Sequence, residues 1–155
     1  DEALRAQLNI KPAAQPAKPV ARGGLFDTPD FWKKEHGAPL LRRNANFVTS
    51  EVPQSVRERL GAWPALCGAK VPAAAAAGEK LSEDEALERL LLRDAERTFL
   101  DDGHRKRMIE VLKQVLGASA TIADYHQGLG YTCSLLMLFF DAPTARAILS
   151  RLPSE

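Results

Sequence analysis

Apolar residues recur at helical spacing in the C-terminal half of the chain. Ser82, followed three positions later by Glu85, is typical of a capping box, so we predict that a helix begins at Ser82. Five later positions fall on one face of this helix at helical spacing. These positions are Leu87, Leu90, Leu91, Asp94 and Thr98. The apolar face is therefore interrupted by a single carboxylate.

Three more helices are predicted after this one. Asp101 or Asp102 is expected to cap a helix that ends at Gly117. Residues 131–140 are apolar on all sides, and a run of this length is too short to span a bilayer, so it predicts a buried central helix. Residues 144–152 predict a last short helix.

The pattern upstream of residue 82 is weaker. Residues 1–24 are rich in Pro, Ala and Lys and predict a linker or flexible arm, which leaves residues 25–155 as the helical domain. Pro53 is expected to start a short helix that Pro64 bends or ends. The alanine run at residues 72–79 predicts a surface connector. Because no strand alternation is present, we predict an all-α, irregular multi-helix fold.

The composition of the chain argues against several classes of function. The chain has 155 residues with a formal net charge of +1, which argues against a broad basic surface for nucleic acid or anionic membranes. Cys67 and Cys133 lie far apart in sequence, which favours a reducing, cytoplasmic compartment. The chain begins without methionine or a signal-type apolar run, so we expect it to be a piece of a longer protein. The three histidines have no metal-ligand spacing, and no phosphate-binding loop is present, so we expect no metal and no cofactor of its own.

Two short motifs carry candidate chemistry. Asp94 and Arg97 have the i, i+3 spacing that brings two side chains together on a helix, and taken alone they predict a structural salt bridge. In the second motif, residues 124–131, a polar turn leads directly into the apolar run. Gly128 and Gly130 relieve backbone crowding there and would let a partner come close.

Taken in this order, the two motifs resemble the TBC domain family of Rab GTPase-activating proteins. That family has the hallmarks Ile-x-x-Asp-x-x-Arg and Tyr-x-Gln-Gly. The matching residues in this chain are Leu91, Asp94 and Arg97, followed by Tyr125, Gln127 and Gly128. The resemblance is strongest over residues 52–152 and implies the N-terminal subdomain of a TBC-type fold.

The resemblance implies that a partner GTPase hydrolyses GTP with help from this chain. Arg97 matches the arginine finger that stabilises charge on the phosphates, and Gln127 matches the glutamine that orients the attacking water. Asp94, Tyr125 and Gly128 are implied to support these two residues. The Rab partner would carry GTP and Mg²⁺, and it would bring the chain to the periphery of a membrane.

An alternative remains open because the chain departs from the family pattern. The family usually has Gly before the tyrosine and Met-Asn after the glycine, where this chain has Asp124, Leu129 and Gly130. The second helical half of a TBC domain is also missing from this sequence. The alternative is a catalytically inactive TBC-like module that binds a small GTPase or a scaffold. Without the second half, the helices at 131–140 and 144–152 would expose apolar surface, and we predict that they form a homodimer.

Overall fold

The computed structural model describes residues 17–28, 52–71 and 79–152, and the predicted all-α class is confirmed over them. Two short 3-10 turns, Leu25–Asp27 and Ile122–Asp124, accompany the α-helices. The only β contact among the described residues is an isolated bridge between Gly23 and Phe140. The helices are α1 (Gln54–Gly61), α2 (Trp63–Leu66), α3 (Glu85–Thr98), α4 (Asp102–Leu116), α5 (Gln127–Phe139) and α6 (Ala142–Leu149).

Helix α4 lies at the centre of the packing and contacts α3, α5 and α6. Its buried face is formed by Met108, Val111 and Leu112. Asp101 caps the helix by accepting a hydrogen bond from the backbone N–H of His104 at 3.0 Å. Gly117 ends it with a φ of 91°, a conformation that favours glycine, so the predicted stop is confirmed.

The predicted capping box at the start of α3 is wrong. The helix begins at Glu85, and its cap is Asp84, whose carboxylate accepts from the backbone N–H of Leu87 at 2.6 Å. Ser82 is buried, and its hydroxyl donates instead to the carbonyl of Ala120 at 2.5 Å. The Ser82 hydroxyl oxygen also accepts from the backbone N–H of Asp84 at 3.2 Å, so Ser82 holds the residue before the helix and Asp84 acts as the cap.

The prediction for α5 needs two corrections. The helix begins at Gln127, four residues before the apolar run, and the imidazole Nδ1 of His126 caps it by accepting from the backbone N–H of Leu129 at 3.2 Å. The helix is also not buried on all sides, because Tyr131 is 55% exposed and Leu135 is 45% exposed. Its buried side contacts α3, α4, α6 and the 3-10 turn Leu25–Asp27.

Helix α6 begins two residues earlier than predicted and ends at Leu149, with Asp141 as its cap. Several of its apolar side chains are buried within the chain, and so are several from α5. The two helices therefore carry less uncovered apolar surface than the sequence indicated. The homodimer stays a prediction, with its candidate contacts limited to exposed residues such as Tyr131, Leu135 and Leu152.

The N-terminal segment is attached to the helices before residue 25. Ala21 is buried and its backbone N–H donates to the carbonyl of Arg57 in α1 at 2.9 Å. The Arg57 guanidinium in turn forms an ion pair with Asp27 at 2.9 Å. The carbonyl of Pro19 also lies against Gly61 of α1, so packing begins upstream of the expected boundary at residue 25, while residues 1–16 of the predicted arm lie outside the described part of the chain.

The bend expected at Pro64 is confirmed, because α1 ends at Gly61 and Pro64 lies in the first turn of α2. Most of the predicted connector, residues 72–78, lies outside the described part of the chain. None of the helices in the described ranges combines the length and the apolar character needed to cross a membrane.

Candidate functional site

A small surface cleft lies where the last turn of α3 meets the first turn of α5. Arg97 and Gln127, which are far apart in sequence, both line it, and so does Asp94. Its remaining lining residues are Thr98, Met108, Gly130 and Tyr131. Three of the five residues predicted for the site therefore share one cleft, while Tyr125 and Gly128 line a separate groove.

Arg97 occupies the last turn of α3 and points to solvent. Its side chain is 59% exposed, and its ion-pair partner among the described residues is Asp94, with 3.7 Å between the guanidinium Nη1 and the carboxylate Oδ1. This separation is too long for a hydrogen bond, so the pair is a weak electrostatic contact. The guanidinium therefore keeps most of its donors available for an external anion.

Asp94 is only 6% exposed and has a closer partner than the sequence indicated. The hydroxyl of Tyr125 donates to its Oδ2 at 2.9 Å, and this bond lies in the interior. A buried carboxylate is costly without such a donor, so Tyr125 offsets part of the cost of placing Asp94 on the apolar face. The Asp94 carboxylate therefore has both Arg97, as the i, i+3 spacing predicted, and Tyr125 as partners.

The pKa of Tyr125 lies well above the ordinary value for a tyrosine. Burial of the phenol is the main cause, and the hydrogen bond to Asp94 and the negative charge of that carboxylate add to it. The hydroxyl therefore stays protonated at neutral pH and remains a donor to Asp94.

Gln127 is the first residue of α5, and its side chain is exposed. Because the residue lies within a capped helical turn, its backbone is held in place while its amide can reach into solvent. The side-chain amide offers both a donor and an acceptor, the two functions needed to hold a water molecule by two hydrogen bonds.

The two glycines of the second motif differ in what surrounds them. A Cβ at Gly128 would meet the Nδ1 of His126 at 3.1 Å, on an exposed side chain that has room to move. A Cβ at Gly130 would lie 2.4 Å from the hydroxyl oxygen of Tyr125, closer than real Cβ contacts allow. The sequence indicated Gly128 as the supporting glycine, but the tighter contact is at Gly130. A signal was present, since two glycines in the first turn of a helix disfavour the helix unless something packs against them.

Asp124 lies away from the cleft. Its carboxylate accepts from both the backbone N–H and the hydroxyl of Thr121, at 2.8 Å and 3.0 Å. These hydrogen bonds lower the pKa of Asp124, so the group is charged at neutral pH. It lines a separate groove with Tyr125 and His126 on the other side of the motif. Its negative charge is therefore not part of the lining of the cleft that holds Arg97 and Gln127.

A metal cluster and a nucleophilic cysteine are two other kinds of reactive site. Within the described ranges, no three His, Cys, Asp or Glu side chains are grouped so that they could hold a metal ion. Cys133 is buried in α5, and burial raises the pKa of its thiol to about 12, so the thiolate needed for nucleophilic chemistry is not formed at neutral pH. The cleft remains the best candidate.

Comparisons of the chain with protein-family models, curated proteins and solved structures find no match. The resemblance to the TBC family therefore rests on the two short motifs themselves.

Proposed function

We propose that the chain is a GTPase-activating protein for a Rab-type small GTPase and contains the N-terminal subdomain of a TBC-type fold. One observation carries the proposal: Arg97 and Gln127 come from distant parts of the sequence, are both exposed, and line the same cleft. A structural salt bridge alone would not require a glutamine at this place.

Each of the two residues has a chemical role in this proposal. Arg97 enters the nucleotide site of the partner, where a planar and permanently charged guanidinium donates several hydrogen bonds to phosphate oxygens as charge develops on them. Gln127 orients the attacking water through its amide. The partner binds GTP and Mg²⁺, so the chain contributes side chains to a reaction that takes place on another protein.

The buried neighbours of the cleft fit this role. Asp94 lies one helical turn before Arg97 and attracts the guanidinium without a tight hydrogen bond, which leaves Arg97 able to reach a phosphate. Tyr125 holds Asp94 from behind. Catalytic side chains act efficiently when their supports are rigid, and here the supports come from α3 and from the residues just before α5.

A second candidate is a TBC-like module that binds a small GTPase or a scaffold without accelerating hydrolysis. The exposed apolar side chains of Tyr131 and Leu135 favour it, because they lie one and two helical turns after Gln127 on α5 and suit a protein contact. Binding alone needs such a surface but does not need Arg97 and Gln127 together.

Single-turnover GTP hydrolysis across a panel of purified Rab GTPases tests the proposal. We expect the wild-type chain to accelerate hydrolysis by one or more members. Arg97→Ala should lower that accelerated rate by about 10³–10⁵-fold. Arg97→Lys should not restore it, because a lysine lacks the planar set of donors. Gln127→Ala should also abolish the effect.

Arg93→Ala is the matched control, since Arg93 is an exposed arginine one turn earlier on α3 and does not line the cleft. It changes the net charge by the same amount and should leave the rate nearly unchanged. If no GTPase is accelerated while one still binds in a pull-down, the second candidate is correct. Equal losses from Arg93→Ala and Arg97→Ala would show a general electrostatic effect instead of a finger.

A further inference from the structure

We propose that Gly130 is a positioning residue: the absence of a side chain there lets the Tyr125 hydroxyl lie between α5 and Asp94, and this contact sets the relative placement of Arg97 and Gln127. The inference rests on the proposed function and deepens it. Gly130 is one of the positions at which the chain departs from the family pattern, so the motif itself assigns it no role.

The Tyr125 hydroxyl lies against the first turn of α5. A Cβ built on Gly130 would lie 2.4 Å from the Tyr125 hydroxyl oxygen, so this oxygen already occupies the space that any other residue would need. Gly130 lies one helical turn after Gln127. The hydroxyl therefore lies directly against the turn of backbone that carries Gln127.

The same hydroxyl is also hydrogen-bonded to a residue of α3. Tyr125 donates to Oδ2 of Asp94 at 2.9 Å, while Oδ1 of that carboxylate lies 3.7 Å from the guanidinium of Arg97. One oxygen atom thus contacts the backbone beneath one proposed finger and the carboxylate beneath the other. This bridging group therefore adds a specific contact at the point where the ends of α3 and α5 already pack together.

The space around Gly130 cannot expand easily. The built Cβ would also meet the methyl group of Met108 at 3.4 Å and the ring carbon Cζ of Tyr125 at 3.5 Å. Met108 is itself fully buried. A methyl group at position 130 must therefore either push the first turn of α5 outward or drive the Tyr125 hydroxyl away from Asp94. Both movements change how Arg97 and Gln127 face a partner.

Local preference argues in the opposite direction, which makes the inference testable. Alanine is a better helix former than glycine, so Gly130→Ala should stabilise α5 if nothing lay nearby. Steric conflict with Tyr125 predicts the reverse. Removing only the hydroxyl, as in Tyr125→Phe, should remove the conflict, because the nearest ring atom is already at an ordinary contact distance.

A double-mutant cycle on thermal unfolding measures the contact without any GTPase. We expect Gly130→Ala to lower the unfolding midpoint by about 2–4 °C in the Tyr125 background, the shift that a loss of about 1 kcal/mol gives in a chain of this length. In the Tyr125→Phe background the same change should have little effect or raise the midpoint. Gly103→Ala is the matched control, since this glycine is in the first turn of α4 and its Cβ would meet only the carboxylate oxygen of Asp101 at 3.0 Å. Its effect should be equal in both backgrounds, and an equal effect of Gly130→Ala in both would overturn the inferred contact.

A second cycle, on GTP hydrolysis, measures the positioning. Single-turnover rates over a range of GTPase concentrations separate the maximal rate from the half-saturating concentration. Gly130→Ala should lower the maximal rate by about 100-fold with the half-saturating concentration nearly unchanged, because a displacement of about 1 Å costs that much. The loss should be several-fold smaller in the Tyr125→Phe background. A loss confined to the half-saturating concentration, or an unchanged maximal rate, would overturn the positioning role.

The two cycles keep this inference distinct from the proposed function. If the wild-type chain accelerates no GTPase, the proposed function fails and the effect of Gly130 on rate fails with it, while the unfolding cycle still decides whether the contact exists. If the wild-type chain is active and Gly130→Ala is equally active, only the positioning role is overturned.

Discussion

Helices α3 and α5, which carry Arg97 and Gln127, bury themselves in different ways. Helix α3 has charged residues along its outer face and buries Leu87, Leu91 and Ala95 on the inner one. Helix α5 contains no charged residue at all between Gln127 and Phe139. A charged face fixes the orientation of α3 from its own sequence, whereas the orientation of α5 depends on which neighbours cover it.

The difference is clearest at two pairs of adjacent leucines. In α3, Leu91 is buried and Leu92 is exposed, and the charges around Leu92 mark it as part of the outer face. In α5, Leu136 is buried and Leu135 is exposed, but no polar neighbour marks the difference as strongly. The exposed side of α5 is therefore a result of tertiary packing. It includes Gln127, Tyr131 and Leu135, which follow one another at intervals of one helical turn.

The largest expected effect comes from truncating these leucines. Leu91→Ala and Leu136→Ala should each lower the free energy of unfolding by about 2–5 kcal/mol, because each leaves a cavity in the core. Leu92→Ala and Leu135→Ala, the matched exposed partners, should each change it by less than about 0.5 kcal/mol. Urea unfolding of the four variants gives the values.

One result would break the comparison. If Leu135→Ala costs as much as Leu136→Ala, the outer side of α5 is covered by something other than this chain. A second copy is the first candidate to examine, since a homodimer through α5 and α6 was predicted from the sequence. In that case the unfolding midpoint of the wild-type chain should rise with protein concentration.

Helices with strong apolar periodicity could be predicted from the sequence, and starts that depend on distant contacts could not. The cap of α4 at Asp101 and its end at Gly117 needed only local information. The start of α3 did not, because Ser82 and Asp84 are competing cap signals and the choice depends on a hydrogen bond from Ser82 to Ala120. The start of α5 was missed because histidine is not among the common cap residues and the two glycines disfavour a helix.

The candidate site shows the same division. The approach of Arg97 to Asp94 follows from their spacing on one helix and could be predicted. The hydrogen bond from Tyr125 to Asp94 joins residues on different elements, and the close contact at Gly130 follows from that bond. The hydrogen bond has no local signature, and the two glycines indicate only that something packs against the first turn of α5, so the partners in both contacts required the folded arrangement of α3 and α5.

The contact between Tyr125 and Asp94 should make the chain less stable at alkaline pH. Because the pKa of Tyr125 is raised in the folded chain, its contribution to stability is fully present below the unfolded value of about 10 and is lost as the pH rises through the folded pKa. The free energy of unfolding should therefore fall above about pH 10, by up to about 1.4 kcal/mol per pH unit from this group. Urea unfolding at a series of pH values measures the slope.

Two tyrosine variants separate this effect from the other groups that titrate at high pH. Tyr125→Phe should reduce the slope, whereas Tyr131→Phe should keep it, because Tyr125 is still present. Asp94→Asn should bring the ionisation of Tyr125 to lower pH by removing the negative charge, although burial keeps its pKa raised. Identical slopes in the wild-type chain and in Tyr125→Phe would contradict the buried hydrogen bond.

The smallest expected effects compare the starts of the two helices. Asp84→Ala should lower the free energy of unfolding by about 1 kcal/mol, because it removes the acceptor at 2.6 Å from the Leu87 N–H. His126→Ala should cost about 0.5 kcal/mol, since a neutral ring nitrogen at 3.2 Å is a weaker acceptor than a carboxylate. Replacement by Asn at either position should recover most of the loss.

Glu85→Ala decides between the observed cap and the capping box that the sequence indicated. In a capping box the Glu85 side chain would reach back to the backbone N–H of Ser82, and its loss would cost about as much as that of the cap itself. Within the described part of the chain, Glu85 forms an exposed ion pair with Arg89 at 3.6 Å, so Glu85→Ala should change the free energy of unfolding by less than about 0.5 kcal/mol. A large effect of Glu85→Ala together with a neutral Asp84→Ala would move the start of α3 back to Ser82. It would also break the hydrogen bond between Ser82 and Ala120, so the bond from Tyr125 to Asp94 would have to hold α3 to the loop that leads into the glutamine motif.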